Sequence, residues 1–124
     1  MTLNEHGTPC WFELNVRDFD GAVDFYSSVF SLDTHVMADV ENFRYTTLVI
    51  EGIEVAGVLD ASQRLVEGVA PYWVVYWHVN DIDVALARLC QLGGAVHDGP
   101  TDSPFGRIAM VADPTGAMFK LRGV

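Results

Sequence analysis

The chain has 124 residues, which is the size of a single domain and is enough to bury a core without disulfides or metal ions. Seventeen acidic residues against seven basic ones give a formal net charge of −10. Such a chain repels phosphate backbones and anionic membranes, so nucleic acid and lipid surfaces are poor candidates as partners. An acidic surface can attract a cationic ligand, but it also serves simply to keep a protein in solution.

The sequence shows no pattern typical of a membrane span or a signal peptide, and its cysteine spacing is not that of a zinc site or redox pair. Both observations predict an ordinary intracellular protein. No apolar stretch approaches the ~20 residues needed to span a bilayer, and the start MTLNEHG lacks the charged-then-apolar order of a signal peptide. The two cysteines, Cys10 and Cys90, have no spacing typical of a zinc site or redox pair. We therefore expect a soluble cytoplasmic protein whose thiols stay reduced.

Two similar stretches indicate an internal repeat. NVRDFDGAV begins at Asn15, and HVNDIDVAL begins 63 residues later at His78. At the same offset Arg44 falls on Arg107, so the repeat extends well beyond these stretches. Neither half is large enough to close a sheet and a core comfortably by itself. The repeat therefore predicts two similar modules that pack together.

The first copy predicts a strand, a helix and three further strands. Apolar positions with helical spacing predict a helix over residues 19–30, with Asp18 or Asp20 capping its first turn. The stretches THVMADV, FRYTTLVI and IEVAGVLD predict strands, with breaks at Glu41-Asn42 and Glu51-Gly52. The first module is expected to span residues 8–60, approximately.

The second copy predicts the same order over residues 71–123, approximately. Helical spacing predicts a helix over residues 82–92, which Gly93-Gly94 ends. The stretches AVHDG, GRIAMVAD and AMFKLR predict strands, and residues Asp113–Gly116 predict a β-turn. The predicted fold is therefore a single α+β domain, residues 1–124, made of two βαβββ modules.

The order of these features resembles the vicinal oxygen chelate superfamily of glyoxalases, bleomycin-resistance proteins and extradiol dioxygenases. The features are the paired modules, the aspartate caps, FY in the first helix, GG after the second helix and DPTG before the last strand. The resemblance covers the chain from about Thr8 to Leu121. It implies an eight-stranded U-shaped mixed sheet around a ligand-binding cleft.

Two further resemblances bear on assembly and function. Many members of the superfamily build their clefts across a subunit contact, and the strand PYWVVYW carries more large apolar surface than one helix can cover. We therefore expect a homodimer. The start GTPCWFEL, followed by a helix with FY, is similar to one half of tandem glyoxalase-like proteins of actinobacteria, a resemblance that favours ligand binding.

The alternation of side chains along strands predicts which residues face the cleft. The side facing the helices is expected to hold Phe12, Leu14, Val16, Val75, Trp77 and Val79. The cleft side is expected to hold Trp11, Glu13, Asn15, Val74, Tyr76 and His78. In the last strand, Lys120 is expected to point into the cleft or past its rim, where it either meets a ligand or stays solvated.

The four places that bind a divalent ion in metal-dependent relatives correspond here to Trp11, Gly57, Val74 and Lys120. Indole only donates hydrogen bonds, glycine and valine offer no donor atom, and an ammonium group repels a cation. We therefore predict that the chain uses no metal and no other cofactor. The alternative is a rearranged site of Glu13, Glu54 and His78, which requires its ligands to converge within ~2.3 Å of one point.

A cleft without metal still offers polar groups beside an aromatic wall, a combination typical of small-molecule pockets. The predicted ligand-binding residues are Trp11, Glu13, Asn15, Tyr76, His78, Phe105 and Lys120. We expect a metal-independent protein that binds an aromatic or cationic organic molecule, as the bleomycin-resistance branch does.

Two alternatives to this binding role stay open. One is an enzyme of lyase, isomerase or dioxygenase type with metal-free acid–base catalysis or displaced ligands, for which no catalytic residue is assigned. The other is a filled cleft, in which Glu13 neutralises Lys120 and His78 bonds Tyr76.

Overall fold

The computed structural model describes residues 5–124, so the first four residues of MTLNEHG lie outside it. The strands are β1 (Thr8–Val16), β2 (Asp33–Val40), β3 (Phe43–Ile50), β4 (Ile53–Asp60), β5 (Tyr72–His78), β6 (Ala95–Ser103), β7 (Gly106–Ala112) and β8 (Met118–Gly123). The helices are α1 (Phe19–Phe30) and α2 (Ile82–Gln91). The α+β class and the βαβββ order of each half are confirmed. Over the described part of the chain, neither helix is long and apolar enough to cross a membrane.

Residues Trp11–Trp73 form one compact unit. Its strands lie in the order β2-β3-β4-β1, with β1 parallel to β4 and the other neighbours antiparallel. Helix α1 packs on a core of Leu14, Val16, Phe19, Leu48, Ala56 and Val58. Leu14 and Val16 therefore lie beneath the helix as predicted. The prediction for Phe12 is wrong, because this core stops at Leu14 and leaves the Phe12 ring largely exposed.

Residues Val74–Val124, together with residues 5–10, form the second unit. Its strands lie in the order β5-β8-β7-β6, with β5 parallel to β8 and the other neighbours antiparallel. Helix α2 buries Ile82 and Leu86 in a core with Val79, Ala109, Val111 and Leu121. Val79 lies in this core as predicted. Trp77 does not, because the cluster around α2 begins at Val79 and leaves the indole exposed.

Local signals set the ends of both helices where the sequence predicts them. Asp18 accepts a hydrogen bond from the Gly21 N–H at 3.0 Å, and Asp81 accepts one from the Val84 N–H at 3.1 Å. These bonds satisfy backbone donors that an open helix end would leave free. Helix α2 ends at Gln91, one residue before the predicted end, and the chain reverses through Gly93 at a φ of 93°.

The predicted strands match the observed ones closely except for β6. That strand continues past the predicted AVHDG to Ser103 and so includes Pro100. Proline lacks an N–H, yet it is tolerated in an edge strand, where one side of the backbone needs no partner. Strand β6 is at the edge of its four-strand order.

One arginine in each module joins the helix to the neighbouring strands. Arg44 of β3 contacts Asp20 of α1 at 2.8 Å and Asp39 of β2 at 3.0 Å. The residues 63 positions later, Arg107, Asp83 and Asp102, make the same two contacts at 2.9 and 3.2 Å. The sequence repeat is therefore also a repeat of contacts.

Candidate functional site

A chain of hydrogen bonds joins three side chains of the first module. The Trp11 indole N–H donates to the Tyr45 hydroxyl oxygen at 2.8 Å, and this hydroxyl donates to Glu13 Oε2 at 3.0 Å. Glu13 lies in the middle of β1 and is only 5% exposed. A buried carboxylate is costly unless it is hydrogen-bonded or paired. Tyr45 therefore both stabilises Glu13 and orients its carboxyl group.

Gly57 of β4 explains why Tyr45 can lie in this position. Gly57 is opposite Glu13 on β1 and opposite Thr47 on β3, which places Tyr45 on the diagonal. Diagonal neighbours on a sheet are within reach of an aromatic ring. A methyl group on Gly57 would overlap the hydroxyl and the ring of Tyr45. The phenol therefore fills the space that a side chain at position 57 would need.

The environment of Tyr45 keeps its phenol protonated. Burial, followed by the negative charge of Glu13, holds the pKa of Tyr45 far above its ordinary value of 10.0. Burial and the same carboxylate also raise the pKa of Tyr72. Tyr45 thus remains a hydrogen-bond donor at physiological pH.

Asn15 is the second buried polar side chain on this face of β1. It is 5% exposed, and its amide nitrogen Nδ2 has no hydrogen-bond partner among residues 5–124. An unsatisfied buried donor costs about 1–3 kcal/mol, so most buried polar groups in proteins have a partner. A ligand with an acceptor oxygen would supply the missing bond.

The second module carries a different pair at the equivalent positions. Tyr76 of β5 is the counterpart of Glu13, and Lys120 of β8 is the counterpart of Gly57; the two residues are opposite each other in the strand register. The Lys120 ammonium donates to the Tyr76 hydroxyl at 3.3 Å and lies 5.2 Å from the centroid of its ring. His78 is the counterpart of Asn15, and its buried Nδ1 also has no hydrogen-bond partner in the described part of the chain.

The residues at the four metal-binding places of glyoxalase-type relatives do not fit a divalent ion. The Trp11 N–H is used by Tyr45, the Tyr45 ring covers Gly57, and Val74 has no donor atom. Lys120 carries the same sign of charge as the metal. The rearranged alternative is not supported either, since Glu54 contacts His35 at 2.8 Å and no three His, Cys, Asp or Glu side chains from residues 5–124 converge.

The remaining predicted site residue, Phe105, lies in the turn between β6 and β7. Its ring is exposed, and its N–H donates to the Ser103 hydroxyl at 3.1 Å. Sequence reasoning missed Tyr45, although a signal was present. A glycine inside a strand, such as Gly57 within IEVAGVLD, often marks the close approach of another group.

Two βαβββ modules, each with polar side chains on its first strand, define a glyoxalase-like protein. The chain belongs to the Glyoxalase/Bleomycin resistance protein/Dioxygenase superfamily, whose family model matches residues 9–121. The resemblance stated from the sequence motifs is thereby confirmed.

Two relatives are proteins of Streptomyces. Anthracycline biosynthesis protein DauV of Streptomyces sp. (strain C5) is 34% identical, over 96% of this chain and 48% of the relative. Anthracycline biosynthesis protein DnrV of Streptomyces peucetius is 33% identical, with the same two shares. The chain thus spans about half the length of these relatives.

Among solved structures, the fold is similar to methylmalonyl-CoA epimerase of Streptomyces coelicolor in complex with 2-nitronate-propionyl-CoA. The TM-score is 0.66, and the match covers 96% of this chain and 98% of the epimerase chain. Because the two sequences are only 18% identical, this likeness supports the fold alone.

Proposed function

We propose that this chain binds a small aromatic or cationic organic molecule, without a metal ion, at the polar side chains of β1. The main support for the proposal is that the amide nitrogen of Asn15 is buried without a hydrogen-bond partner among the described residues. A protein that needed Asn15 only for packing would gain stability from an apolar residue there. A ligand with an acceptor oxygen gives the amide a reason to be present.

The neighbouring residues define the chemistry that such a ligand needs. Asn15 donates to a carbonyl or hydroxyl oxygen, and the carboxylate of Glu13, held by Tyr45, accepts from a hydroxyl, an amine or another cation. Trp11 offers a flat apolar surface for an aromatic ring. The similarity to proteins named for anthracycline biosynthesis supports the aromatic class.

Tyr76, His78 and Lys120 are proposed as ligand contacts on separate grounds. The Lys120 ammonium is oriented by the Tyr76 hydroxyl and can receive a carboxylate, phenolate or enolate oxygen. The buried Nδ1 of His78 can exchange a hydrogen bond with a ligand in either tautomer. Phe105, exposed in its turn, is proposed as an apolar contact.

The test is Asn15→Leu, which keeps the approximate size of the side chain and removes its amide. We expect the variant to unfold at a higher temperature, since the unsatisfied donor is gone, and to bind an anthracycline at least about tenfold more weakly. Binding is followed by the fluorescence of the anthracycline. Gln63→Leu, which removes an exposed amide, is the matched control and should change neither quantity.

The binding proposal fails if Asn15→Leu binds as tightly as the wild-type chain. It also fails if the wild-type chain binds no member of a panel of aromatic and cationic probes at millimolar concentration.

A second candidate function, acid–base catalysis without a metal, is favoured by one observation. Lys120 and Tyr76 form a hydrogen-bonded pair of two groups that can each exchange a proton. An enzyme of this type would exchange an acidic C–H proton of a bound carbonyl compound with solvent. Proton NMR in D2O decides between the two functions, because a pure binding protein leaves that signal unchanged.

We also propose that the protein is located in the cytoplasm. Cys10 and Cys90 are both free thiols, which suits a reducing compartment.

A further inference from the structure

Helix α1 and strands β2 and β3 line a cavity of about 140 Å³ within the unit Trp11–Trp73. The cavity is on the face of the sheet that α1 covers, because Thr46 of β3 lines it. Tyr45, the preceding residue, points to the opposite face, where its hydroxyl meets Glu13. The cavity is therefore separate from the polar side chains of β1. A space of roughly 150 Å³ holds a molecule the size of benzene.

Most of the charge around the cavity belongs to the scaffold. Arg44 contacts Asp20 and Asp39, and its guanidinium carbon lies 4.5 Å from the centroid of the Phe19 ring. The second module repeats both ion pairs at the equivalent positions. These groups are thus explained by the fold, and the two carboxylates balance the charge of the arginine.

Two further polar groups at the cavity have no counterpart in the second module. The residues 63 positions after Asp24 and Thr46 are Ala87 and Ala109. The Asp24 carboxylate is exposed at the mouth of the cavity and takes part in no ion pair or hydrogen bond among residues 5–124. Thr46 is only 2% exposed, and no hydrogen bond of those residues uses its hydroxyl. A buried hydroxyl without a partner is costly, so a ligand atom accounts for it better than packing does.

The apolar lining also differs between the modules. Val23 of α1 occupies the position at which the second module has Leu86, a larger side chain that packs into the α2 core. Phe19 and Val36 complete an apolar wall beside Val23. The first module therefore combines a smaller apolar side chain with two additional polar groups at one cavity.

We propose that this cavity binds a small amino alcohol, an organic ammonium ion with a hydroxyl group at its other end. The ammonium group contacts the carboxylate of Asp24, and the carbon chain lies against Val23 and Val36. The hydroxyl group exchanges a hydrogen bond with Thr46. The formal net charge of −10 favours the approach of a cation. Arg44 does not oppose it, because its own charge is balanced by two carboxylates.

The first part of the test varies the charge. The probe is aminopentanol, and binding is followed by calorimetry. We expect a dissociation constant of about 1 mM or below, and binding of pentanol, which lacks the charge, at least about tenfold weaker. Asp24→Asn keeps the shape of the side chain and should weaken the binding of aminopentanol at least about fivefold. Asp98→Asn, which removes another exposed carboxylate, is the matched control and should leave binding unchanged.

The second part varies the interior of the cavity. Thr46→Val keeps the shape and removes the hydroxyl, so it should weaken the binding of aminopentanol at least about threefold and leave that of pentylamine unchanged. Val23→Leu fills part of the cavity and should weaken the binding of both amines. Circular dichroism establishes that each variant folds. If Val23→Leu does not fold, Asp24→Asn and Thr46→Val, which preserve side-chain shape, decide the test.

The proposal is overturned if the wild-type chain does not bind aminopentanol at about 10 mM, or if Asp24→Asn binds it as tightly as the wild type. An equal loss of aminopentanol and pentylamine binding in Thr46→Val contradicts the assignment of the hydroxyl. Asn15→Leu should bind aminopentanol normally, and a loss of binding in this variant would place the amine at β1 and refute the cavity site. Anthracycline binding by variants of the cavity should remain normal, so this proposal and the proposed function can fail separately.

Discussion

The two modules share a scaffold and differ in the chemistry they display. Both cap their helix with an aspartate and both join helix to strands through one arginine. The first strand and the next two strands of the sheet differ, however. The first module has Trp11, Glu13, Tyr45 and Gly57 where the second has Val74, Tyr76, Ile108 and Lys120. The positions that hold the fold have therefore kept their residues, and the positions around Glu13 and its counterpart Tyr76 have diverged.

The same contrast appears on the outer surfaces. Helix α1 presents the exposed rings of Phe25 and Phe30, whereas α2 has Arg88 and Gly93 at the corresponding positions. A duplicated unit can thus assign different tasks to equivalent positions without a change of backbone. Substitutions at equivalent positions in the two modules test this view directly.

The largest effect is expected at Gly57, which lies directly against Tyr45. Gly57→Ala forces a methyl group against Tyr45, whose hydroxyl is held by two hydrogen bonds, and should reduce the free energy of unfolding by about 1–3 kcal/mol. Lys120→Ala, at the equivalent position, adds no such overlap and should cost clearly less. Urea unfolding at neutral pH measures both values.

A second substitution identifies the cause of the Gly57→Ala effect. In a background of Tyr45→Ala the ring is absent, so adding Gly57→Ala should cost only a few tenths of a kcal/mol. Additive effects of the two changes would show that Tyr45 does not explain why position 57 is a glycine.

A medium effect, equal in both modules, is expected at the helix caps. Asp18→Ala and Asp81→Ala each remove one hydrogen bond to the first turn of a helix and should each reduce stability by about 1 kcal/mol. Thermal unfolding of the two variants provides the comparison. If one cap contributes several times as much as the other, the two scaffolds are less alike than their contacts indicate.

The smallest effect appears only at alkaline pH and arises at Tyr45 of the first module. The pKa of Tyr45 is raised in the folded state, so on going above its ordinary value of 10.0 the unfolded chain loses its phenolic proton first. Stability that is present below pH 10 is therefore lost as pH rises toward the folded-state pKa. Tyr45→Phe removes this contribution.

The measurement is the free energy of unfolding between pH 8 and pH 11. We expect the curve of the wild-type chain to fall more steeply than that of Tyr45→Phe above pH 10. Parallel curves across the whole range would mean that the phenol is not held in its neutral form by the fold.

Local patterns were enough to predict the elements of this fold. The helix bounds depend on the spacing of apolar residues and on Asp18, Asp81 and Gly93, all of which act within one or two turns of chain. The strand bounds depend on alternation and on turn residues, which are equally local. The family motifs then fix the order in which the elements occur, which explains why the fold class was predicted correctly.

The same local patterns could not predict which side chains of different strands contact each other. Tyr45 and Glu13 are 32 residues apart, and they meet only because the register of β3, β4 and β1 sets Tyr45 across the bare backbone of Gly57. The exposure of Phe12 likewise depends on where the core under α1 ends, which alternation along a strand does not reveal.

The sequence by itself determined the repeated βαβββ order, the helix caps and the unsuitability of Trp11, Gly57, Val74 and Lys120 as metal ligands, because these follow from residue type and short-range spacing. Tertiary structure decided which polar groups are buried, that Tyr45 covers Gly57, and that Asn15 keeps a buried amide without a partner among the described residues. The physical reason is range: side-chain chemistry and turn preference belong to single residues, whereas burial and hydrogen-bond partners are set by segments far apart in the chain.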